Sequence, residues 1–251
     1  MCILLVAYQH HPDYDLVVAA NRDEFYDRPS APAAYWSAHP TLLAGQDLQA
    51  GGTWLGVNAR GHFSAVTNLR GALTPTAGYS RGHLVRDYLV RPDSSEDFLV
   101  RLAPDAGRYA ACNLVLCDAE NLYWWSNLGK RVLNPGVYGI SNTHIDHEWP
   151  KVERLKGAFA PLRGLTGASL TDSLLALLRD TERSSPTGTA KPLNFARVEE
   201  TIFVHTPSYG TRCSSIVLRN RRLGRLEFIE RRYGSDTQVV GEARFSIDSV
   251  N

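Results

Sequence analysis

The second residue of this chain is a cysteine, and it stands directly after Met1. Initiator methionine is removed when the next side chain is small, so the mature chain is expected to begin at Cys2. One residue then carries a thiol nucleophile and an α-amine, whose reference pKa of about 7.7–8.0 leaves a useful fraction unprotonated near neutrality. Such an amine accepts the thiol proton directly or through one water, which joins nucleophile and base in a single residue. A lone cysteine is more often a small apolar residue opening a buried strand. The chemistry therefore needs other parts: donors for a developing oxyanion and groups that hold the nucleophile in register.

Four short segments offer such parts. Asn21, Arg22, Asp23 and Glu24 form a polar run straight after Val17, Val18, Ala19 and Ala20, and such a run is costly unless its groups pair. Asn68 closes the apolar stretch over 64–67, Asn142 follows 136–141, and Arg212 lies within 209–215. Each has a plainer reading: asparagine is a default turn residue, and Arg22 beside Asp23 or Glu24 is also the pattern of an exposed ion pair worth about 0–1 kcal/mol. Arg212 is one arginine in an arginine-rich chain.

The elements that must hold these groups read as hairpins. Residues 2–9 and 16–20 are apolar, β-branched runs on either side of a turn over 10–14. Further pairs are 54–57 with 63–67, 113–116 with 122–125, and 215–218 with 226–230. In this reading the polar run from Asn21 to Glu24 comes after its strand. Helical periodicity falls between the pairs: Leu84, Val85, Tyr88 and Leu89 share a face after Ser80, with Pro92 as the stop. Ser94, Ser95, Glu96 and Asp97 cap a second segment carrying Phe98, Leu99 and Leu102, and Thr171, Asp172 and Ser173 read as the cap of a third carrying Leu174, Leu175, Leu177 and Leu178. Residues 184–191 read as a surface loop. Hairpins interleaved with helices predict antiparallel sheets with helices on their outer faces, in an α+β fold. No stretch reads as a linker, so residues 1–251 are expected to form a single domain.

The chain has 251 residues, 27 basic against 26 acidic, with 43% hydrophobic residues, which excludes a disordered chain and gives no general attraction to nucleic acid. No apolar run approaches the roughly 20 residues of a membrane span, and the short run over 3–7 has no basic leader, so a cytoplasmic protein without stable membrane insertion is expected. Four cysteines in so long a chain make no disulfide framework, and no metal-ligand spacing occurs among them.

Met1 with Cys2, the tetrad Asn21, Arg22, Asp23 and Glu24 followed by Phe25, Arg28 and Pro29, the stretch from Gly51 through Thr53 and Trp54 to Gly56, Thr67 with Asn68, and Ser141 with Asn142 ahead of Trp149, Pro150 and Lys151 together resemble the NRDE family, also called the Transport and Golgi organisation protein 2 family. The order of parts is similar, more distantly, to the choloylglycine hydrolase and penicillin V acylase group of N-terminal nucleophile hydrolases. That resemblance implies a four-layer α/β/β/α sandwich of antiparallel sheets. It also implies Cys2 as nucleophile, Asp23 as the strand-end aspartate, Asn68 and Asn142 as oxyanion donors and Arg212 as the late arginine, with Asn21, Arg22, Glu24 and Trp54 near the substrate. The sequence departs from the hydrolase pattern at Ala20, where that group has an arginine three residues before its aspartate. Arg22 is the nearby arginine, and neighbouring strand residues point to opposite faces.

Two readings of function follow. In the first, Cys2 attacks the carbonyl of a small amide or thioester, and no cofactor is required. In the second, implied by the eukaryotic relatives, the protein carries haem or an acyl lipid without catalysis. Haem would need an axial ligand such as His10, His83 or His205, or a cysteine thiolate. The expected partner is in either case a small hydrophobic or acyl compound.

Overall fold

The computed structural model describes residues 2–70, 78–145, 149–184 and 200–248. Two antiparallel sheets lie face to face. The first contains β1 (Cys2–Tyr8), β2 (Tyr14–Phe25), β10 (Gly136–Ile140), β11 (Tyr209–Asn220), β12 (Arg225–Tyr233) and β13 (Val239–Asp248), in the order β10-β1-β2-β11-β12-β13. The second contains β3 (Ser30–Trp36), β4 (His39–Asp47), β5 (Leu55–Asn58), β6 (Phe63–Asn68), β7 (Cys112–Cys117), β8 (Leu122–Ser126) and β9 (Gly129–Leu133), in sequence order. Helices α1 (Arg81–Val90) and α2 (Ser95–Leu102) cover the second sheet, and α3 (Pro150–Phe159) and α4 (Gly167–Leu178) cover the first.

Strand alternation sorts the apolar residues into three cores. Leu4, Val6, Leu16 and Val18 of the first sheet meet Val57, Phe63, Val115 and Trp124 of the second between the sheets. Ile3, Leu5, Val17 and Ala19 point the other way and pack on Val152, Leu155, Leu170 and Leu174 of the outer helices. Leu42, Leu114 and Leu116 pack likewise on Val85, Tyr88 and Phe98. A strand buried on both sides needs apolar residues at successive positions, which is why β1 reads as the unbroken run Ile3-Leu4-Leu5-Val6-Ala7. The result is the α/β/β/α sandwich.

The hairpins fall where the apolar runs predict them, and α1 and α2 begin beside Ser80 and Ser94, with Ser94 Oγ accepting from Asp97 N–H at 3.1 Å. Two local readings change. The polar run Asn21, Arg22, Asp23 and Glu24 lies inside β2, because β11 pairs with all of it and β1 also pairs with Asn21 and Arg22. Helix α4 starts at Gly167, so Thr171 sits within it, buried, rather than at its cap. The loop expected over 184–191 lies outside the described residues except for Ser184. Among the described residues no helix is long and apolar enough to cross a membrane.

Candidate active site

The end of the space between the two sheets opens into a cleft of about 510 Å³, within the range of small-molecule sites. Cys2 stands opposite Arg22 in the β1–β2 register. Both share the face of Leu4, Val18 and Ala20, so alternation aims them between the sheets. Arg22, Asp23, Glu24, Trp54 and Asn68 line the cleft with Cys2. Arg22, two residues beyond Ala20, keeps the inner face and lands directly across from Cys2. The missing arginine at Ala20 is thus offset by one on the same face, not lost to the other.

Two neighbouring side chains fix the main chain of Cys2. Its N–H donates to Asn142 Oδ1 at 3.3 Å, and its carbonyl accepts from Ser141 Oγ at 2.8 Å. Asn142 Nδ2 donates in turn to the Asn68 carbonyl at 2.7 Å, so one buried amide bridges β1 of the first sheet to the end of β6 in the second. Asn113 holds this corner from behind, donating to Thr67 Oγ1 at 3.0 Å and to the Ser141 carbonyl at 3.1 Å while accepting from Trp124 Nε1 at 3.0 Å. Asn142 therefore clamps the Cys2 nitrogen with its oxygen and spends one amide hydrogen on Asn68, which leaves one for a ligand.

Burial pushes the Cys2 thiol above its ordinary pKa, and the negative charge of Asp23 adds to this, against the pull of the Arg22 guanidinium. The resting group is a neutral thiol, which could serve as a nucleophile only with a base to take its proton. Asp23 is itself buried. Burial raises its pKa, while the charge of the fully buried Lys151 opposes, as does a 2.7 Å hydrogen bond from Thr211 Oγ1. Tyr209 Oη donates to the Asp23 carbonyl at 2.7 Å, and burial drives this phenol well above its usual range. Arg22 is 5% exposed, its guanidinium 4.2 Å from the Trp54 ring centroid, and its Nη1 finds no hydrogen-bond partner among the described residues. The Trp54 ring fits because residue 45 is glycine: a Cβ there would lie 2.4 Å from it.

Two residues expected at the site sit elsewhere. Asn21 points to the helix side of β2, where its Nδ2 donates to the Leu178 and Ile202 carbonyls at 2.8 and 3.0 Å and its Oδ1 accepts from Ser214 Oγ at 2.6 Å. The alternation that aims Arg22 inward forces Asn21 outward. Arg212 occupies a bulge in β11, between the pairings of Thr211 with Asp23 and of Cys213 with Arg22. Its Nη1 donates to the carbonyls of Phe25 and Tyr26 at 2.8 and 3.0 Å, so it ties down the chain after β2 and does not line the cleft. The bulge gives its neighbour Thr211 the contact with Asp23. Sequence reasoning missed Thr211, Tyr209, Ser141 and Lys151. The available signals were that Thr211 and Tyr209 precede the expected arginine by one and three residues, and that Ser141 and Lys151 stand in the motifs that carry the family resemblance.

Residues 1–235 match the model of the family described as Transport and Golgi organisation 2. The chain belongs to this family. Its relatives include the Transport and Golgi organization protein 2 homologs of Bos taurus, 32% identical over 94% of this chain and 95% of that protein, and of Homo sapiens, 31% identical over 92% of each. This Transport and Golgi organisation 2 family chain also superimposes on two variants of the conjugated bile acid hydrolase from Clostridium perfringens. For the first the TM-score is 0.57 at 10% identity, covering 100% of this chain and 94% of that one. For the second it is 0.55 at 10% identity, covering 99% and 93%. The family member thus has the fold of an N-terminal nucleophile hydrolase. Among its described residues, no cluster of three or more histidine, cysteine or acidic groups is arranged to hold a metal ion.

Proposed function

We propose that the protein is an N-terminal cysteine hydrolase that cleaves, or transfers, the acyl group of a small amide or thioester. The observation that carries this reading is the anchoring of Cys2: its nitrogen lies on Asn142 Oδ1 at 3.3 Å, and its side chain lines a cleft of about 510 Å³. An N-terminal nucleophile needs its amine held close to its thiol and aimed consistently, and that is the task these bonds suit.

Once Met1 is removed, the Cys2 α-amine takes the thiol proton and sulfur attacks the substrate carbonyl carbon. The second Asn142 amide hydrogen and a donor at Asn68 stabilise the oxyanion. The C–N or C–S bond then breaks, and the leaving group takes the proton from the α-ammonium. Water adds to the thioester, gives a proton to the amine and releases the acid with free Cys2. Asp23, backed by Thr211 and Lys151, supplies negative charge that favours the ammonium between these steps.

The carrier reading has less support, because none of His10, His83 and His205 lines the cleft. His83 and His205 instead engage the main-chain carbonyls of Ala50 and Ser235 at 2.8 and 3.0 Å. Cys2 is the only thiol among the residues that line the cleft, so these residues do not fit haem with a histidine ligand.

The test is intact mass combined with a Cys2→Ala comparison on a panel of N-acyl amides and acyl thioesters. Loss of Met1 and loss of hydrolysis in the variant are expected. A retained Met1, or unchanged hydrolysis, overturns the proposal.

A further inference from the structure

Each sheet has two edge strands, and three of the four are guarded against pairing with another chain. β9 and β10 are five residues long, β9 carries Lys130 and Arg131, and β3 holds Pro32 and slips twice against β4. Short, basic, proline-bearing or irregular edges are the common guards against strand addition. β13 differs from all three. It spans ten residues with neither proline nor lysine, it stands last in the order of the first sheet, and among the described residues no strand pairs with its outer edge. Its ladder with β12 slips once, at Val240, and runs straight from Gly241 to Asp248. Val239 and Val240, at its start, are exposed apolar residues.

Alternation divides the side chains of this strand. Phe245 and Ile247 pack into the interlayer core, so Glu242 and Arg244 lie on the opposite face, toward α4, where Arg244 Nη2 is 3.9 Å from Asp172. Glu242 accepts from Arg231 Nε at 2.6 Å and from Arg244 Nε at 2.7 Å, and both Glu242 and Arg244 keep part of their surface in solvent. A second copy of this edge can add antiparallel about a two-fold axis normal to the sheet. Opposed residues must point to the same face, so the axis has to pass through a residue and not between two. Four such registers overlap most of the strand, centred on Glu242, Ala243, Arg244 or Phe245. The first sets Glu242 against its own copy, the third does the same to Arg244, and the fourth sets Glu242 against Asp248. Like charges directly opposed destabilise a strand pair. The register centred on Ala243 instead sets Glu242 opposite Arg244, and the two-fold axis makes that contact twice.

We infer that β13 is a self-association surface, on which a second copy of this chain pairs antiparallel about Ala243 and joins the two six-stranded sheets into one. The new main-chain ladder supplies the attraction, together with cover for Val239 and Val240 under the far end of the copy's strand. Exposed ion pairs add little affinity, but they discriminate between registers, and here they select the one that closes on itself as a dimer. The cleft at Cys2 takes no part in this assignment.

Sedimentation velocity of the full chain over a concentration series, followed by native mass spectrometry, is the experiment. The parent protein is expected to be a dimer at micromolar concentration. Arg244→Glu and Glu242→Arg should each weaken association about tenfold or more, because each replaces two opposite-charge contacts by two like-charge ones. Mixed in equal amounts, the two variants should pair with one another, since the acidic edge of one chain then faces the basic edge of the other. The mixed dimer differs in mass from either self-pair, so the spectrum identifies it directly. A monomeric parent, a dimer indifferent to both substitutions, or variants that fail to pair on mixing would each overturn the inference.

Discussion

Gly52→Ala offers a direct measure of how tightly the start of α1 is held against the cleft. The neighbouring Gly51 is glycine for its backbone, with φ at +72°, but Gly52 is glycine for space. A Cβ there would lie 2.5, 2.7 and 2.9 Å from the carbonyl carbon, oxygen and Cα of Gly82. All three are main-chain atoms, so no side chain can rotate aside. Relief requires a shift of roughly 0.5–1 Å between two segments already tied by the bond from Thr53 N–H to Gly82 and by that from Asp47 N–H to Gly52. Overpacking of this kind costs about 1–3 kcal/mol, or about 2–12 °C in melting temperature for a chain of this size. Calorimetric melting of Gly52→Ala beside Gly107→Ala, whose added Cβ meets nothing within 4 Å, is the assay. A Gly52→Ala protein that melts within about 1 °C of Gly107→Ala would refute the packing argument.

Two further outcomes follow from the site and its surroundings. Asn142→Ala should lower turnover by about 10²–10³, since it removes an oxyanion donor together with the clamp on the Cys2 nitrogen; a fall of less than threefold would detach Asn142 from the chemistry. His62 is buried and its pKa is depressed from 6.5 to about 4, chiefly by burial and then by the charge of Arg60. The unfolded chain therefore binds the proton more readily between those values. His62 contributes stability that is present above about pH 6.5 and is lost as pH falls toward 4, up to roughly 3 kcal/mol in all. Denaturant unfolding of His62→Phe should show a shallower acid decline than the parent, and parallel curves would remove His62 as the cause.

The sequence made the layers legible because burial on two sides writes itself into β1 as a continuous apolar run and into α1 as Leu84, Val85, Tyr88 and Leu89. Where the partner is remote, the signal fades. Nothing local says that Asp23 and Glu24 continue the strand, because their pairing comes from β11, nearly 190 residues away in the chain. Arg212 was expected at the site as the late arginine that the resemblance implies, whereas a one-residue bulge, invisible in composition, gives Asp23 to Thr211 instead. Lys151 is fully buried although lysine is an ordinary surface residue on most helices; the charge of Asp23 and the Trp149 ring, 5.4 Å from its Nζ, are among the groups it meets there. Cys2, Arg22, Asp23, Asn68 and Trp54 came together as expected because strand parity and hairpin register determine where they point.

The amide of Asn142 reaches from the first residue of one sheet to the last residue of a strand in the other. The stacking of Arg22 on Trp54 crosses the same seam. Cys2 is thereby stitched into the join between two layers, so the geometry at its sulfur depends on the distance between those layers. That distance is set by the packing of Leu16, Val18 and Phe63 in the interlayer core. The packed interior thus acts as the adjusting screw of the proposed reaction centre. Substitutions that thin or thicken it should alter the chemistry without touching the cleft, so the range of workable cores is narrower than stability alone would require.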